Sequence, residues 1–181
     1  MSKPEYTTLS SREVYKNRWM RLREDEIERA SGQKGLYSVV EKPTFAIVIA
    51  TDGHHVYMVE QYRYTTGQRH LEFPQGANED DHNIDPLALA QQELREETGV
   101  IASEWHHVGF QYLAYGFCDQ GYNIYVAKGL KQGEQALEPE EEGLELKKVK
   151  LDDVESMIRN GEISDATTCN AFGLARLQGL I

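Results

Sequence analysis

One helix in this chain has both of its ends marked by sequence signals, and it separates two β-rich stretches. An aspartate side chain can cap a helix and proline suits the first helical position, so Asp85-Pro86 marks a start. Gly99 marks the end, because a glycine just past the last turn commonly closes a helix. The sequence therefore predicts a helix from Pro86 to about Thr98, and the surrounding strands must pack around it.

The segments on either side of this helix read mostly as short strands. Phe45–Ala50 and Val56–Gln61 flank a turn at Thr51-Asp52-Gly53, which predicts a hairpin. Further predicted elements are strands near Trp105–Ala114, near Tyr122–Ala127 and at LELKKVKL, and helices near Asp152–Asn160 and Asp165–Leu177. This order, β-rich, one helix, β-rich, two helices, predicts an α+β fold with a mixed sheet and helices on its faces.

The N-terminal stretch differs from the rest of the chain. Residues 10–43 carry short β-like pieces that are rich in charge and interrupted by Gly32 and Gly35. Such a pattern is typical of a polar antiparallel unit with little core of its own, which often packs against a second subunit. We therefore predict an N-terminal β unit at residues 1–43 and a main domain at residues 44–181.

Three glutamates near the end of the predicted helix share one side of it. At 100° per residue, Glu93, Glu96 and Glu97 fall within an arc of about 100°. The first and last of them border a predicted core stripe made of Leu87, Ala90, Gln91 and Leu94. Stability does not account for this placement, because like charges repel and anions oppose the dipole at a helix C-terminus. A hard divalent cation would account for it, and an ordinary solvated acidic helix end is the alternative.

Charge and hydropathy exclude several classes of function. A formal net charge of −11 without a Lys/Arg cluster argues against nucleic acid as a partner, although bridging divalent cations would still allow phosphate binding. No apolar run reaches the roughly 18 residues of a membrane span, and the N-terminus lacks the apolar region of a secretory signal. Cys118 and Cys169 lack C-x-x-C spacing. These features predict a cytoplasmic protein with reduced thiols and no membrane partner.

The predicted helix and the loop before it resemble a family signature. The stretch GANEDDHNIDPLALAQQELREETGV is similar to the Nudix hydrolase box, G-x5-E-x7-R-E-U-x-E-E-x-G-U with U aliphatic. The matching positions are Gly76, Glu93, Leu94, Glu96, Glu97, Gly99 and Val100. The flanking stretches EQYRYTTGQRHLEFPQG and GEISDATTCNAFGLARL look like the ADP-ribose pyrophosphatase branch of that family. The N-terminal strands look like the dimerisation unit of that branch, so the resemblance covers nearly the whole chain.

The resemblance implies a Nudix fold, with a mixed β-sheet sandwiched between helices and an N-terminal antiparallel β unit that forms a homodimer. It implies hydrolysis of the diphosphate bond of a nucleotide sugar, with ADP-ribose giving AMP and ribose 5-phosphate. The implied cofactor is Mg²⁺, with Mn²⁺ as the alternative ion. A divalent metal would neutralise the diphosphate, which a chain of this negative charge cannot do by itself.

The resemblance also assigns roles to individual residues. The implied metal ligands are Glu93, Glu97, Glu96 and Glu142, with the backbone carbonyl near Gly76. The implied catalytic residues are Glu140 as the general base, Glu142 and Glu96, with Glu141 as a rival in the same loop, EPEEEGLEL. Arg63 and Glu72 match substrate-binding positions, and an arginine is suited to bidentate contact with phosphate.

Two departures from the family pattern leave alternatives open. Gln92 stands where the family has an arginine, and the span from Gly76 to Gly99 is two positions longer than in the box. The upstream glutamate of the box therefore has four candidate counterparts, namely Glu79, Asp80, Asp81 and Asp85. One alternative is a nucleotide-sugar binding module with impaired catalysis. The other is a Nudix enzyme for another substrate, such as GDP-mannose, a dinucleoside polyphosphate or capped RNA.

Overall fold

The computed structural model describes residues 4–181, so residues 1–3 of the predicted N-terminal unit lie outside the described residues. The strands are β1 (Tyr6–Lys16), β2 (Arg21–Arg29), β3 (Lys34–Glu41), β4 (Phe45–Thr51), β5 (His55–Arg63), β6 (Gln68–Glu72), β7 (Gln75–Gly76), β8 (Val100–Tyr112), β9 (Gly121–Gln132) and β10 (Glu145–Lys150). The helices are α1 (Pro86–Thr98), α2 (Leu151–Asn160) and α3 (Ala166–Leu177), and a 3₁₀ turn covers Pro139–Glu141.

The strands form two separate sheets. β1, β2 and β3 make a three-stranded antiparallel sheet in that order. The remaining strands make a sheet of order β10-β5-β4-β9-β8, in which β6 pairs with β5 and β7 pairs with β4. β4 and β9 run parallel, whereas β8 and β9 run antiparallel, so this sheet is mixed. The predicted α+β class with an antiparallel N-terminal sheet is confirmed.

The central strand β4 explains how helices come to cover both faces of the mixed sheet. All seven of its residues are buried. Because alternate side chains of a strand point to opposite faces, Ile47 packs with residues of α2 and α3, whereas Val48 packs with residues of α1. A strand buried on both faces needs apolar residues at every position, which is why FAIVIAT lacks polar alternation. α1 is thereby fixed against the middle of the sheet.

Helix α1 begins and ends at the predicted residues. The Asp85 carboxylate accepts hydrogen bonds from two N–H groups of the first turn, and Gly99 adopts a left-handed conformation with φ 71°. The predicted core stripe is wrong in direction, because Gln91 is exposed and Leu87 is only half-buried. The buried face is rotated by about 60° toward the acidic side, since α1 packs on β7 as well as on β4. That face comprises Leu89, Ala90, Glu93, Leu94, Glu97 and Thr98.

Strands β8 and β9 are longer than the hydrophobic pattern predicts. β8 starts directly after Gly99, and the two strands pair from Val100 opposite Gln132 to Tyr112 opposite Gly121. β8 is largely exposed, so its ends are determined by backbone pairing with β9 and leave little trace in the side-chain pattern.

The N-terminal sheet buries little of its own surface, as predicted. All eleven residues of β1 are exposed, and in β2 only Asp25 and Ile27 are fully buried. Among the described residues, the helices are all too short or too polar to traverse a lipid bilayer.

Candidate active site

Three carboxylates lie close together, two from α1 and one from the 3₁₀ turn. Glu93 and Glu97 lie on the buried face of the helix, with 7% and 2% of their surface exposed. Glu141 comes from the 3₁₀ turn and is half-buried. Each of the three offers one oxygen, and these oxygens lie within 4.8 Å of one another. Such a set of hard oxygen donors is the kind that Mg²⁺ and similar cations take.

The environment of these carboxylates disfavours their negative charge. Burial, followed by repulsion from Glu96 and Glu141, raises the pKa of Glu93 to about 8. The pKa of Glu97 is raised well above its ordinary value, mainly by burial and then by the neighbouring Glu93. Burial is also the largest cause of the raised pKa of Glu141. These shifts favour the protonated form of the three carboxylates, and a bound cation would offset the cost of their negative charge.

Strand β7 lies directly against the two buried acids. The backbone N–H of Gln75 donates a hydrogen bond of 3.2 Å to the Glu97 carboxylate. The next residue, Gly76, approaches Glu93 so closely that an added Cβ would overlap its carboxylate. Glycine is needed at this position for lack of space, which gives the opening glycine of the box a physical reason.

We expect Gly76→Ala to lower kcat by about 10-fold or more, because the new methyl group displaces Glu93 from the cluster. The matched control is Gly173→Ala in α3, where an added Cβ meets no atom within 4 Å. That control should keep wild-type kcat and gain up to about 1 kcal/mol of stability. Steady-state kinetics and thermal unfolding of both variants test this expectation. A Gly76→Ala variant with the same kcat as Gly173→Ala would contradict it.

The 3₁₀ turn determines which glutamate of the acidic run reaches the cluster. Glu141 joins it, Glu140 lines the adjoining cleft, and Glu142 is exposed at the end of the turn and does not line the cleft. Because successive residues of a 3₁₀ turn point about 120° apart, only one of three consecutive glutamates can face α1. Spacing along the chain could not distinguish them. The Glu141 carboxylate also accepts the N–H of Glu138 at 2.8 Å, in a reciprocal capping arrangement that fixes the turn.

The cleft beside the cluster has a volume of about 420 Å³ and is strongly acidic. Glu96 lines it, and its carboxylate accepts a hydrogen bond of 3.2 Å from the Gln92 amide. Gln92 thus supplies a neutral donor at the position where the family pattern has an arginine. Of the four candidates for the upstream glutamate of the box, Glu79 and Asp80 line this cleft, whereas Asp85 caps α1. The fourth, Asp81, is exposed and accepts the N–H of Asn83 in the preceding loop.

Arg63 and Glu72 form an ion pair beside the acidic cleft. The guanidinium donates two hydrogen bonds to the carboxylate, one of them 2.9 Å from Nε to Oε1, and this pair raises the pKa of Arg63. The Glu72 side chain is 3% exposed, whereas that of Arg63 is 40% exposed. Arg63 lines both the acidic cleft and a cavity of about 550 Å³, so the two spaces adjoin each other. An arginine at this junction is placed to contact a phosphate.

We expect Arg63→Ala to destabilise the fold by about 3 kcal/mol, because it leaves Glu72 buried without its cation. The control is Arg159→Ala, which removes an exposed helical ion pair with Glu155 and should cost less than about 0.5 kcal/mol. Chemical unfolding measures both. Adding Glu72→Gln to Arg63→Ala should recover part of the loss, and equal losses in the two single variants would contradict the expectation.

A mixed sheet lies between helices, and buried glutamates of one helix face a cleft, which is an arrangement suited to binding a divalent cation. Comparison with known families is in agreement, since residues 40–169 match the NUDIX domain and residues 6–40 match the nucleoside diphosphate sugar hydrolase N-terminal domain. The chain belongs to the Nudix hydrolase family.

Three relatives illustrate the similarity. The methanol dehydrogenase activator of Bacillus methanolicus is 32% identical over 176 residues, which cover 96% of this chain and 94% of that protein. The ADP-ribose pyrophosphatase of Mycobacterium tuberculosis is 35% identical over 73% of this chain and 64% of its own length. The ADP-ribose pyrophosphatase of Bacillus subtilis is 27% identical over 98% of this chain and 96% of its own length.

A solved crystal structure of an ADP compounds hydrolase has the same fold. It superposes with a TM-score of 0.86 over 99% of this chain and 98% of that chain, at 22% sequence identity. The architecture is therefore shared over nearly all of both proteins.

Proposed function

We propose that this enzyme hydrolyses the diphosphate bond of a nucleotide sugar, with ADP-ribose giving AMP and ribose 5-phosphate. The observation that carries the proposal is the cluster of Glu93, Glu97 and Glu141 beside a cleft that adjoins a larger cavity. One end of a diphosphate-linked substrate fits the cavity while the diphosphate lies at the carboxylates. The names of the relatives from M. tuberculosis and B. subtilis support ADP-ribose as the substrate.

The residues of the cluster fit Mg²⁺, with Mn²⁺ as the alternative. Their donors are all carboxylate oxygens, and their raised pKa values indicate a site that favours a cation over bare negative charge. Glu93, Glu97 and Glu141 would hold the ion, with Glu96 and the backbone carbonyl near Gly76 as the further ligands implied by the resemblance. We assign Glu141 the role predicted for Glu142 because Glu141 faces the cluster. When bound, the metal neutralises the diphosphate oxygens and the charge that develops on them.

Side chains of the enzyme would then bind the substrate and accept the proton of the attacking water. Arg63 binds a phosphate or the adjoining sugar and is itself held by Glu72. Glu140 lines the cleft and takes the proton of the attacking water. The water oxygen forms a bond to one phosphorus, and the bridging P–O bond breaks. The products are two monophosphates, one on the nucleoside and one on the sugar.

A substrate panel tests this function. ADP-ribose, GDP-mannose, UDP-glucose, NADH and diadenosine polyphosphates are each incubated with Mg²⁺ and with Mn²⁺, and the products are identified by chromatography. We expect fastest turnover of ADP-ribose, with AMP and ribose 5-phosphate in equal amounts. If every compound stays intact with both ions, the proposal fails. Binding of ADP-ribose without turnover would favour the impaired binding module.

We also propose that the N-terminal β unit, residues 1–43, joins two copies of the chain, with residues 44–181 as the catalytic domain. The motive is the set of large apolar side chains that β1 and β3 leave exposed, namely Tyr6, Leu9, Val14, Tyr15, Leu36 and Tyr37. Large apolar side chains that are exposed on one small sheet are candidates for an interface with another chain. Light scattering should give twice the mass of the chain, and a monomer would overturn the proposal. We further propose a cytoplasmic location, because Cys118 and Cys169 are both free thiols.

A further inference from the structure

Both polar atoms of the Gln75 side-chain amide have partners within hydrogen-bond distance. Its Nε2 group donates to Glu72 at 3.0 Å and to Asp165 at 3.3 Å. Its Oε1 atom lies 2.8 Å from the hydroxyl of Thr167, whose single proton is shared between this oxygen and the Asp165 carboxylate. One amide thereby serves as a shared donor between two carboxylates that would otherwise repel each other.

Asp165 ties this amide to the start of α3. It is the N-cap residue of that helix, its carboxylate accepts the backbone N–H of Thr168 at 2.8 Å, and it shares the single hydroxyl proton of Thr167 with Gln75. Although burial alone would raise the pKa of Asp165, these hydrogen bonds outweigh burial and lower it. The carboxylate is therefore a charged and fixed anchor for Gln75.

The main chain of Gln75 contacts the carboxylate cluster directly. Its N–H donates to Glu97, and the following Gly76 lies against Glu93. β7 consists of these two residues and, within residues 4–181, pairs with β4 alone, opposite Ala46 and Ile47. A strand of two residues has little backbone pairing to keep it in place, so side-chain anchoring contributes much of its position.

We propose that Gln75 is a positioning residue whose side chain, held by Asp165 and Thr167, keeps β7 against the carboxylate cluster and keeps Glu72 in place for Arg63. The assignment rests on the proposed function, because the residues it positions are those expected to bind metal and substrate. Gln75 thus connects three parts of the site. Its side chain contacts Glu72, the partner of Arg63, and the N-terminus of α3, and its main chain lies against the two buried glutamates of α1. Loss of the Gln75 amide should disturb catalysis without removing any group that reacts.

Gln75→Met is the informative variant, since methionine fills a similar volume without hydrogen-bonding groups. We expect kcat to fall about 10-fold and the half-saturating Mg²⁺ concentration to rise several-fold, while KM changes less than kcat. The control is Gln91→Met on the exposed side of α1, which should match the wild type in all three quantities. A merely structural role for Gln75 would lower the melting temperature and the active fraction while leaving kcat per active site and the Mg²⁺ requirement unchanged; that result would overturn the proposal.

A double-mutant cycle tests the anchor. Asp165→Ser keeps a residue that can cap α3 but is too short to reach Gln75. If both residues act through one contact, the double variant with Gln75→Met should lose about 10-fold in kcat, as each single variant does, and not about 100-fold. A loss of about 100-fold in the kcat of the double variant would show that the two residues act independently and would refute the anchoring.

A readout without substrate keeps this test distinct from that of the proposed function. Mg²⁺ should raise the melting temperature of the wild type more than that of Gln75→Met at the same metal concentration. Equal increases in melting temperature with Mg²⁺ would contradict the positioning role of Gln75, even if the substrate panel finds turnover of ADP-ribose. Unequal shifts would support its role even if the substrate panel finds no turnover.

Discussion

The Glu97→Gln variant is expected to lose about 10³-fold in kcat while remaining folded, which corresponds to about 4 kcal/mol of transition-state stabilisation. Glu97 is the most deeply buried member of the carboxylate cluster and accepts the N–H of Gln75. An amide keeps the shape of the side chain but cannot supply a negative oxygen to a divalent cation. Activity should therefore fall far more than any change in packing would explain.

Stability should change in the opposite direction. Burial and repulsion from Glu93 penalise the charged form of Glu97, so a neutral amide should raise the melting temperature of the metal-free protein. The matched control is Glu104→Gln on the exposed part of β8, which should leave both quantities unchanged. If Glu97→Gln retains a tenth or more of the wild-type kcat, the assignment of this residue to the metal site is wrong.

The metal-free protein is expected to lose stability as the pH rises from about 4.5 to about 8. Over that range Glu93 keeps its proton in the folded state, because its pKa there is about 8, whereas in the unfolded chain it is already ionised. The folded state then binds one more proton than the unfolded state, so the free energy of unfolding falls with pH. The slope from Glu93 alone is about 1.4 kcal/mol per pH unit, and Glu97 contributes with the same sign.

Urea unfolding in a chelating buffer at several pH values measures this slope. Glu93→Gln should flatten it, whereas Glu104→Gln should not, because Glu104 is exposed. Mg²⁺ should remove or reverse the slope, since a cation binds the ionised carboxylates and its stabilisation grows as they lose their protons. A metal-free protein whose stability is constant or rises between pH 5 and 8 would contradict the expected burial of these charges.

Features determined by a few neighbouring residues were predictable from the sequence. The ends of α1 follow from Asp85-Pro86 and Gly99, because caps depend on local backbone geometry. The apolar run Phe45–Ala50 predicted a strand, and the structure has it as the buried strand β4. The family box placed Glu93, Glu97 and Gly76 close together, and the structure has them in contact around β7.

Features that depend on packing between distant segments were not predictable. The direction of the buried face of α1 depends on its contact with β7, so Gln91 was wrongly assigned to the core. The choice of Glu141 over its neighbours depends on the orientation of a 3₁₀ turn. The contact between Gln75 and Asp165 joins residues 90 positions apart, and no local pattern connects them.

The capping role of Glu141 bears on how this loop tolerates insertions and deletions. A gain or loss of one residue before the turn would rotate the run by about 120° and carry Glu141 away from α1. The residues on either side of it are also glutamates, so one of them would take its place beside Glu93 and Glu97. The same carboxylate would then cap the 3₁₀ turn, as that of Glu141 does. The acidic run thus provides redundancy, in which the chemical group at the site is preserved while the residue that supplies it changes.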